Sequence, residues 1–354
     1  NFLYAPGFWL LLSAGMTYAL IGMRTISGVY HHGVLPVVAF AIGWLIAEGS
    51  SDKQIRDGIL ALAAGFGTYA TLNMLVNIGN NRYRLIDFWT GTYRAATGSG
   101  ALNTLPISVA PYAVKFEKRL PVKIMFLALF FATIQYMFTL GTRTQFAILL
   151  LIVILAALQF AYSEQGIAGV LKCIGIMAVI SLIAFLLYHF NVLSIREYIL
   201  NTNLAARYER RASLENADSF RFQSFWIGLR ELIQYPMGGR ASQIYRHNMW
   251  LDVGRVSGII PFCLLLVYSI KNFANVTVIW KNTKILPSLR YLLLFLYIGA
   301  YVNCFVEPIW EGALNFFLAL CVVDGMVSAM MRRLENDPTP EESVSDTSNL
   351  HTDL

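Results

Sequence analysis

Charge is sparse in this chain of 354 residues: 14% of its positions are charged, against 56% that are hydrophobic. Apolar runs of membrane-spanning length recur from end to end, which excludes a soluble enzyme and implies a polytopic membrane protein. Cysteine is scarce too. Cys173, Cys263, Cys304 and Cys321 all fall inside apolar runs, where a thiol packs as a small hydrophobe, so neither a disulfide framework nor a thiolate metal site is expected. There is no solenoid-period repeat, and no inverted repeat of the kind that marks many secondary transporters. The chain starts at Asn1 rather than Met, so an N-terminal portion is expected to be missing, which leaves the number of spans before this point open.

What is present is a series of ten apolar segments, at about 7–23, 33–47, 58–77, 100–114, 124–140, 145–162, 173–188, 256–270, 291–306 and 312–331. Each reads as a membrane helix, and Pro106 and Pro111 predict a kink in the fourth. The fold class is therefore all-α, with a polytopic transmembrane domain over 1–333. The acidic, Pro/Ser/Thr-rich stretch 334–354 is expected to be a disordered cytoplasmic tail.

Orientation follows from the short connections. One set carries thirteen Lys and Arg residues and the opposite set five, which predicts both ends in the cytoplasm and a long outer loop over 188–255. The two sides also use different cations. The outer set, long loop included, has fourteen arginines and no lysine, whereas the inner set has eight lysines and five arginines. Bulk attraction is served equally by either residue, but bidentate recognition of phosphate or carboxylate needs the guanidinium fork. The outer face thus reads as an anion-binding face, the alternative being arginines that snorkel at the interface and a lack of lysine by chance. No nucleic-acid partner is expected, and the other partners implied are membrane lipids.

The outer loop holds the polar stretch 218–258. Asp218 is the expected N-cap of a helix whose apolar stripe, Phe222, Phe225, Trp226, Leu229, Leu232 and Ile233, ends before Pro236. Gly238 and Gly239 predict a turn, followed by RHNMWLDVGRVSG from Arg246 to Gly258. His247 is a titratable imidazole among arginines at a membrane surface, able to take a proton from an attacking hydroxyl. Arg143 at the mouth of one span and Arg221 on the loop helix supply paired cations, and no DxD-type acidic pair occurs outside, which together suit a diphosphate leaving group handled without a divalent ion. Arg246, Asn248, Arg240 and Arg210 are the expected substrate-binding residues. Asp252 is expected to pair with Arg255 or Arg246, and Glu307 and Glu311 to support the site or its arginines. Asp324, inside the last span, is expected to reach Arg332, Arg333 or water. His31 and His32 occupy a short outer turn, with solvation the expected state.

These pieces resemble the O-antigen ligase and O-antigen polymerase superfamily of integral-membrane glycosyltransferases, and most of all the ligase. GTRTQFAILLL, carrying Arg143, is similar to the Ser-Arg or Thr-Arg signature that opens a span there. Arg221, followed by Pro236-Met237-Gly238, is similar to the family's Arg-led helix ending at a Pro-x-Gly turn, with Phe225 at its aromatic position. His247, Asn248 and Gly258 fit the ligase spacing, and Pro261 departs from its last position, where Gly, Thr or Tyr is usual. The resemblance covers roughly 140–270. It implies a C-type membrane glycosyltransferase of the inner membrane, with its site facing the periplasm and no cofactor. The donor it implies is an undecaprenyl-diphosphate-linked glycan and the acceptor a sugar hydroxyl of the lipid A core. In that reading His247 activates the acceptor while Arg143 and Arg221 hold the diphosphate. An O-antigen polymerase and a lipid-linked-glycan transporter are the alternatives.

Overall fold

Apolar runs bounded by Pro, Gly and charge become helices here, because a backbone in lipid must satisfy its polar groups within its own segment. The structure, a computed structural model, describes residues 1–78, 84–212 and 217–336, without the side chains of residues 84, 94–97, 210–212 and 217–221. The longer helices are α1 (Pro6–Met23), α2 (Ile26–Glu48), α3 (Asp52–Val76), α4 (Thr104–Lys115), α5 (Leu120–Leu140), α6 (Arg143–His189), α7 (Asn203–Ala212), α8 (Ala217–Gln234), α9 (Met249–Ser257), α10 (Ile259–Lys281), α11 (Pro287–Val306) and α12 (Leu314–Asn336). Eight of these, α1, α2, α3, α5, α6, α10, α11 and α12, are long and apolar enough to cross a membrane, by length and composition. The protein is an all-α polytopic membrane protein.

The ten expected segments map onto these helices with two adjustments. α6 joins two of them into 47 residues, divided at Gly166, whose φ of 61° and ψ of −144° break the helix. The division point lies beside Lys115, which pairs with Glu164. After it, the 167–189 limb runs back toward the end of the bundle where Asn203 donates to the Thr139 carbonyl and Arg207 to the Gly141 carbonyl. The fourth segment is broken rather than continuous: Ala96–Gly100, a single 3-10 turn and then α4, which contains Pro111. Residues 99–113 are buried throughout, so neighbouring helices rather than lipid surround the interruption.

Close backbone approach fixes how α2 and α12 cross. A Cβ on Gly43 would lie 1.8 Å from the Val322 carbonyl oxygen, and one on Gly325 would lie 2.0 Å from the Phe40 carbonyl oxygen. Small residues let membrane helices touch in this way. Asp324, one residue before Gly325, is turned into the core by that crossing. It accepts hydrogen bonds from Tyr268 at 2.6 Å and Tyr297 at 2.5 Å, and not from Arg332 or Arg333 as the sequence suggested. Arg333 instead donates to the Ser50 carbonyl and to Asp52, in the turn between α2 and α3. His32 is also corrected: it is buried and stacks on Trp310 at 5.7 Å between ring centroids, while His31 stays exposed. α12 runs to Asn336, three residues into the stretch expected to be tail; the rest of that stretch, residues 337–354, lies outside the described residues.

Candidate active site

The stretch Asn248 to Gly258 has a physical reason for its spacing. Asn248 caps α9 by accepting from the Leu251 amide at 3.1 Å, nine helical residues follow, and Gly258 ends the helix with φ 89° and ψ −170°. Only glycine fits there: a Cβ would sit 2.1 Å from the Pro236 carbonyl oxygen. Gly238, with φ 72°, meets the same junction from the other side, its Cβ position 2.5 Å from the Gly258 nitrogen. The Pro-x-Gly turn and the end of α9 are therefore interlocked. Ile259 N–H donates to the Pro236 carbonyl, Gly239 N–H to Val256 and Arg240 N–H to Arg255. Pro261 falls in the first turn of α10, where its missing N–H costs no helical hydrogen bond.

His247 is held in a left-handed backbone conformation, φ 54°, which non-glycine residues adopt at a cost of about 1–3 kcal/mol. The restraint comes from Asp252. Its carboxylate accepts the amide N–H of Arg246 at 2.7 Å and of Asn248 at 3.3 Å, pinning the peptide on both sides of the histidine. Arg255 holds Asp252 through Nε at 3.3 Å. The same guanidinium donates through Nη1 to the carbonyls of Arg240, Ala241 and Gln243, and through Nη2 to both oxygens of Glu311 at 3.1 Å. Arg255 is thus the buried hub on which the loop before His247 is wound.

The imidazole is 30% exposed and its Nδ1 lies 3.8 Å from Glu307 Oε2. Glu307 is nearly fully buried, and its other oxygen accepts from Thr144 Oγ1 at 2.5 Å. Thr144 follows Arg143, whose guanidinium lies over the Tyr208 ring at 5.8 Å. Two of the expected features, the Thr-Arg-Thr at the mouth of α6 and the His-Asn before α9, therefore meet through the turn after α11. Phe225 of α8 reaches the same place, 5.8 Å from Phe305. Asn248 closes the ring by donating to the Phe305 carbonyl at 3.1 Å.

The remaining expected residues divide. Arg246, expected to touch substrate, gives its guanidinium to Glu231 in a buried two-point pair at 3.0 and 2.8 Å, tying α8 to the loop. Arg240 shares that carboxylate at 3.3 Å and lies 4.3 Å from the Tyr235 ring centroid. Arg221 lies on α8 and Arg210 on α7, and both side chains are outside the described residues. Among the described residues no group of three or more His, Cys, Asp or Glu side chains is placed to hold a metal ion. Glu231 went unassigned in the sequence; its position off the apolar stripe of α8 was the one sign that it had a polar task.

Burial raises the Glu311 carboxyl to about 7, against the opposing pull of Arg255, and burial raises Asp252 as well. The folded value of Glu311 lies above its ordinary 4.5, so the native state keeps a proton that the unfolded chain releases. This contribution favours the fold in acid and is lost as pH rises from about 4.5 to about 7. Thermal unfolding of Glu311→Gln should accordingly vary less with pH across that window than the parent. For Thr144→Val, loss of the hydrogen bond to a buried carboxylate should lower stability by about 1–3 kcal/mol, read from the same melts.

Fold and site together define a polytopic helical membrane protein with a histidine, a carboxylate and arginines gathered at one end of its bundle. No family model matches the chain, and no curated protein matches it. Among solved structures it is similar to a chain from "Structural coordination of polymerization and crosslinking by a peptidoglycan synthase complex", at 15% identity and a TM-score of 0.47 over 94% of this chain and 97% of that one.

Proposed function

We propose that the protein is a membrane glycosyltransferase of the O-antigen ligase type, moving a glycan from undecaprenyl diphosphate to a sugar hydroxyl of the lipid A core at the periplasmic face of the inner membrane. One observation carries the reading. A cavity of about 810 Å³ runs between Phe225 and Leu229 of α8, Trp250 and Leu251 of α9, one side of α10 from Phe262 to Lys281, and Tyr301 and Phe305 of α11. Those nineteen steps along α10 rise about 28 Å, the depth of a hydrocarbon core. Its walls are almost wholly apolar, and it ends at Asn248, beside His247. A polyprenyl chain lying in such a groove would deliver its diphosphate to the polar junction above.

There the chemistry needs a base and a charge sink. His247 takes the proton of the acceptor hydroxyl as its oxygen bonds to the anomeric carbon; the bond from that carbon to the phosphate oxygen breaks, and undecaprenyl diphosphate departs with the electron pair. Arg143 and Arg221 hold the departing diphosphate, so no divalent ion is invoked. Glu307 stands 3.8 Å from Nδ1 of the imidazole, where a small closure would let it orient the ring. Arg246 has the supporting task of fixing the loop to α8.

Purified protein should transfer glycan from a defined lipid-linked donor to lipid A core, and should continue to do so in a chelator. Failure to join the two would sink the proposal, and extension of a second donor molecule instead would make the protein a polymerase. Lysine at position 143 or 221 keeps the charge and loses the fork, and should lower the rate by about 10-fold or more. The orientation has its own test. In a background without native cysteines, Ser242→Cys should react with an impermeant thiol reagent from the periplasmic side and Asn282→Cys should not; the reverse pattern would move the site to the cytoplasm.

A further inference from the structure

A second cavity adjoins the junction, and its chemistry is the opposite of the first. It measures about 280 Å³, is as polar as it is apolar, and lies between Gly98, Ser99 and Leu102 on one side and Glu311 to Phe316 on the other. One short piece of chain lines both cavities. Phe305 closes the apolar groove, Glu311 opens the polar cleft, and Glu307 sits between them facing His247. The other wall is linked to the same point. Gly100 abuts Gln145 and Thr142, its Cβ position 3.0 Å from Gln145 Oε1, and Gln145 follows the Thr144 that holds Glu307. Gln145 is fully buried, and neither end of its amide has a hydrogen-bond partner. A buried amide with both ends unmet is costly unless something polar comes to it.

We infer that this cleft is the binding site for the saccharide that accepts the transferred glycan. A transferase joining a lipid-borne donor to a hydroxyl needs two sites of unlike chemistry converging on one base. The apolar groove suits the polyprenyl chain; the cleft, at the small end of the range of ligand sites, suits one or two sugar rings. Its polar lining is a carboxylate (Glu311), an amide (Asn315), a hydroxyl (Ser99) and the backbone of Gly98, Gly312 and Ala313, which is the mixture of acceptors and donors that sugar hydroxyls require. Glu311 is oriented from behind by Arg255, so one oxygen face is fixed before the sugar arrives. Two glycines face each other across the cleft: a Cβ on Gly98 would lie 2.6 Å from the Gly312 carbonyl oxygen, whereas one on Gly312 would meet only Pro308, at 3.5 Å.

This inference rests on the glycosyltransferase reading, and the experiment separates the two. Gly312→Leu adds bulk at the lip of the cleft, where its Cβ meets nothing nearer than Pro308 at 3.5 Å, and Asn315→Ala, on an exposed position, removes one polar group while leaving the helix intact. With lipid A core as acceptor, Gly312→Leu should raise the acceptor KM by about 10-fold or more and Asn315→Ala by less, with donor KM unchanged in both. Parallel loss for donor and acceptor, or no change in either, would overturn the assignment while leaving the transferase intact. An assay independent of turnover uses Asn315→Cys in a background without the native cysteines. Lipid A core, without donor, should slow its labelling by a maleimide. Transfer without protection removes the acceptor from this cleft; protection without transfer keeps the cleft as a saccharide site and overturns the reaction instead.

Discussion

Replacing His247 with alanine should leave the protein inserted and able to bind lipid-linked glycan, yet cut transfer by about 10²–10⁴-fold, the usual share of a general base. Alanine is poorly suited to the left-handed conformation at this position, where φ is 54°, so a loss of fold could imitate a loss of base. His247→Asn removes the imidazole while keeping a residue type that adopts this backbone readily. If both variants bind donor as the parent does and both lose transfer, the imidazole is the base. If donor binding falls in step with transfer, His247 holds substrate and the proton must go elsewhere.

The spans could be read from sequence because each is a run of apolar residues with Pro, Gly or charge at its ends. Even the division of α6 had a sign, since Ser163, Glu164, Gln165 and Gly166 interrupt an otherwise apolar run. The loop motif was legible as a spacing before it was understood as a capped nine-residue helix ended by a glycine. Partners distant in sequence were less legible. Thr144 and Glu307 are 163 residues apart, and no periodicity links them. Asp324 was assigned by its place along α12, but its partners are set by the close crossing with α2 and by tyrosines on α10 and α11. The arginines were legible as a class and not as individuals. Arg246 and Arg255 do structural work with Glu231, Asp252 and Glu311, while the guanidiniums that remain for an anion cannot be picked from composition.

Arg255→Ala should be the most damaging substitution in the polar stretch 218–258 for stability. The side chain is about 1% exposed and the Asp252 carboxylate is fully buried. Removing the guanidinium strands that carboxylate, leaves Glu311 without its cation and releases three loop carbonyls at once. Removing one partner of a buried ion pair costs about 3–5 kcal/mol, a large part of the stability of a typical domain. Lysine should recover little, because one ammonium cannot span the carbonyls and both carboxylates in the geometry of the fork. The instructive comparison is with Arg255→Ala/Asp252→Asn. Neutralising Asp252 removes the stranded charge, so stability should partly return, but an amide cannot accept from the two N–H groups beside His247 as a carboxylate does. Thermal melts should therefore show partial rescue, while transfer stays as low as in the single variant. If activity returned along with stability, Arg255 and Asp252 would matter only for folding, and the placement of His247 would have to be credited to Asn248 and Glu307 alone.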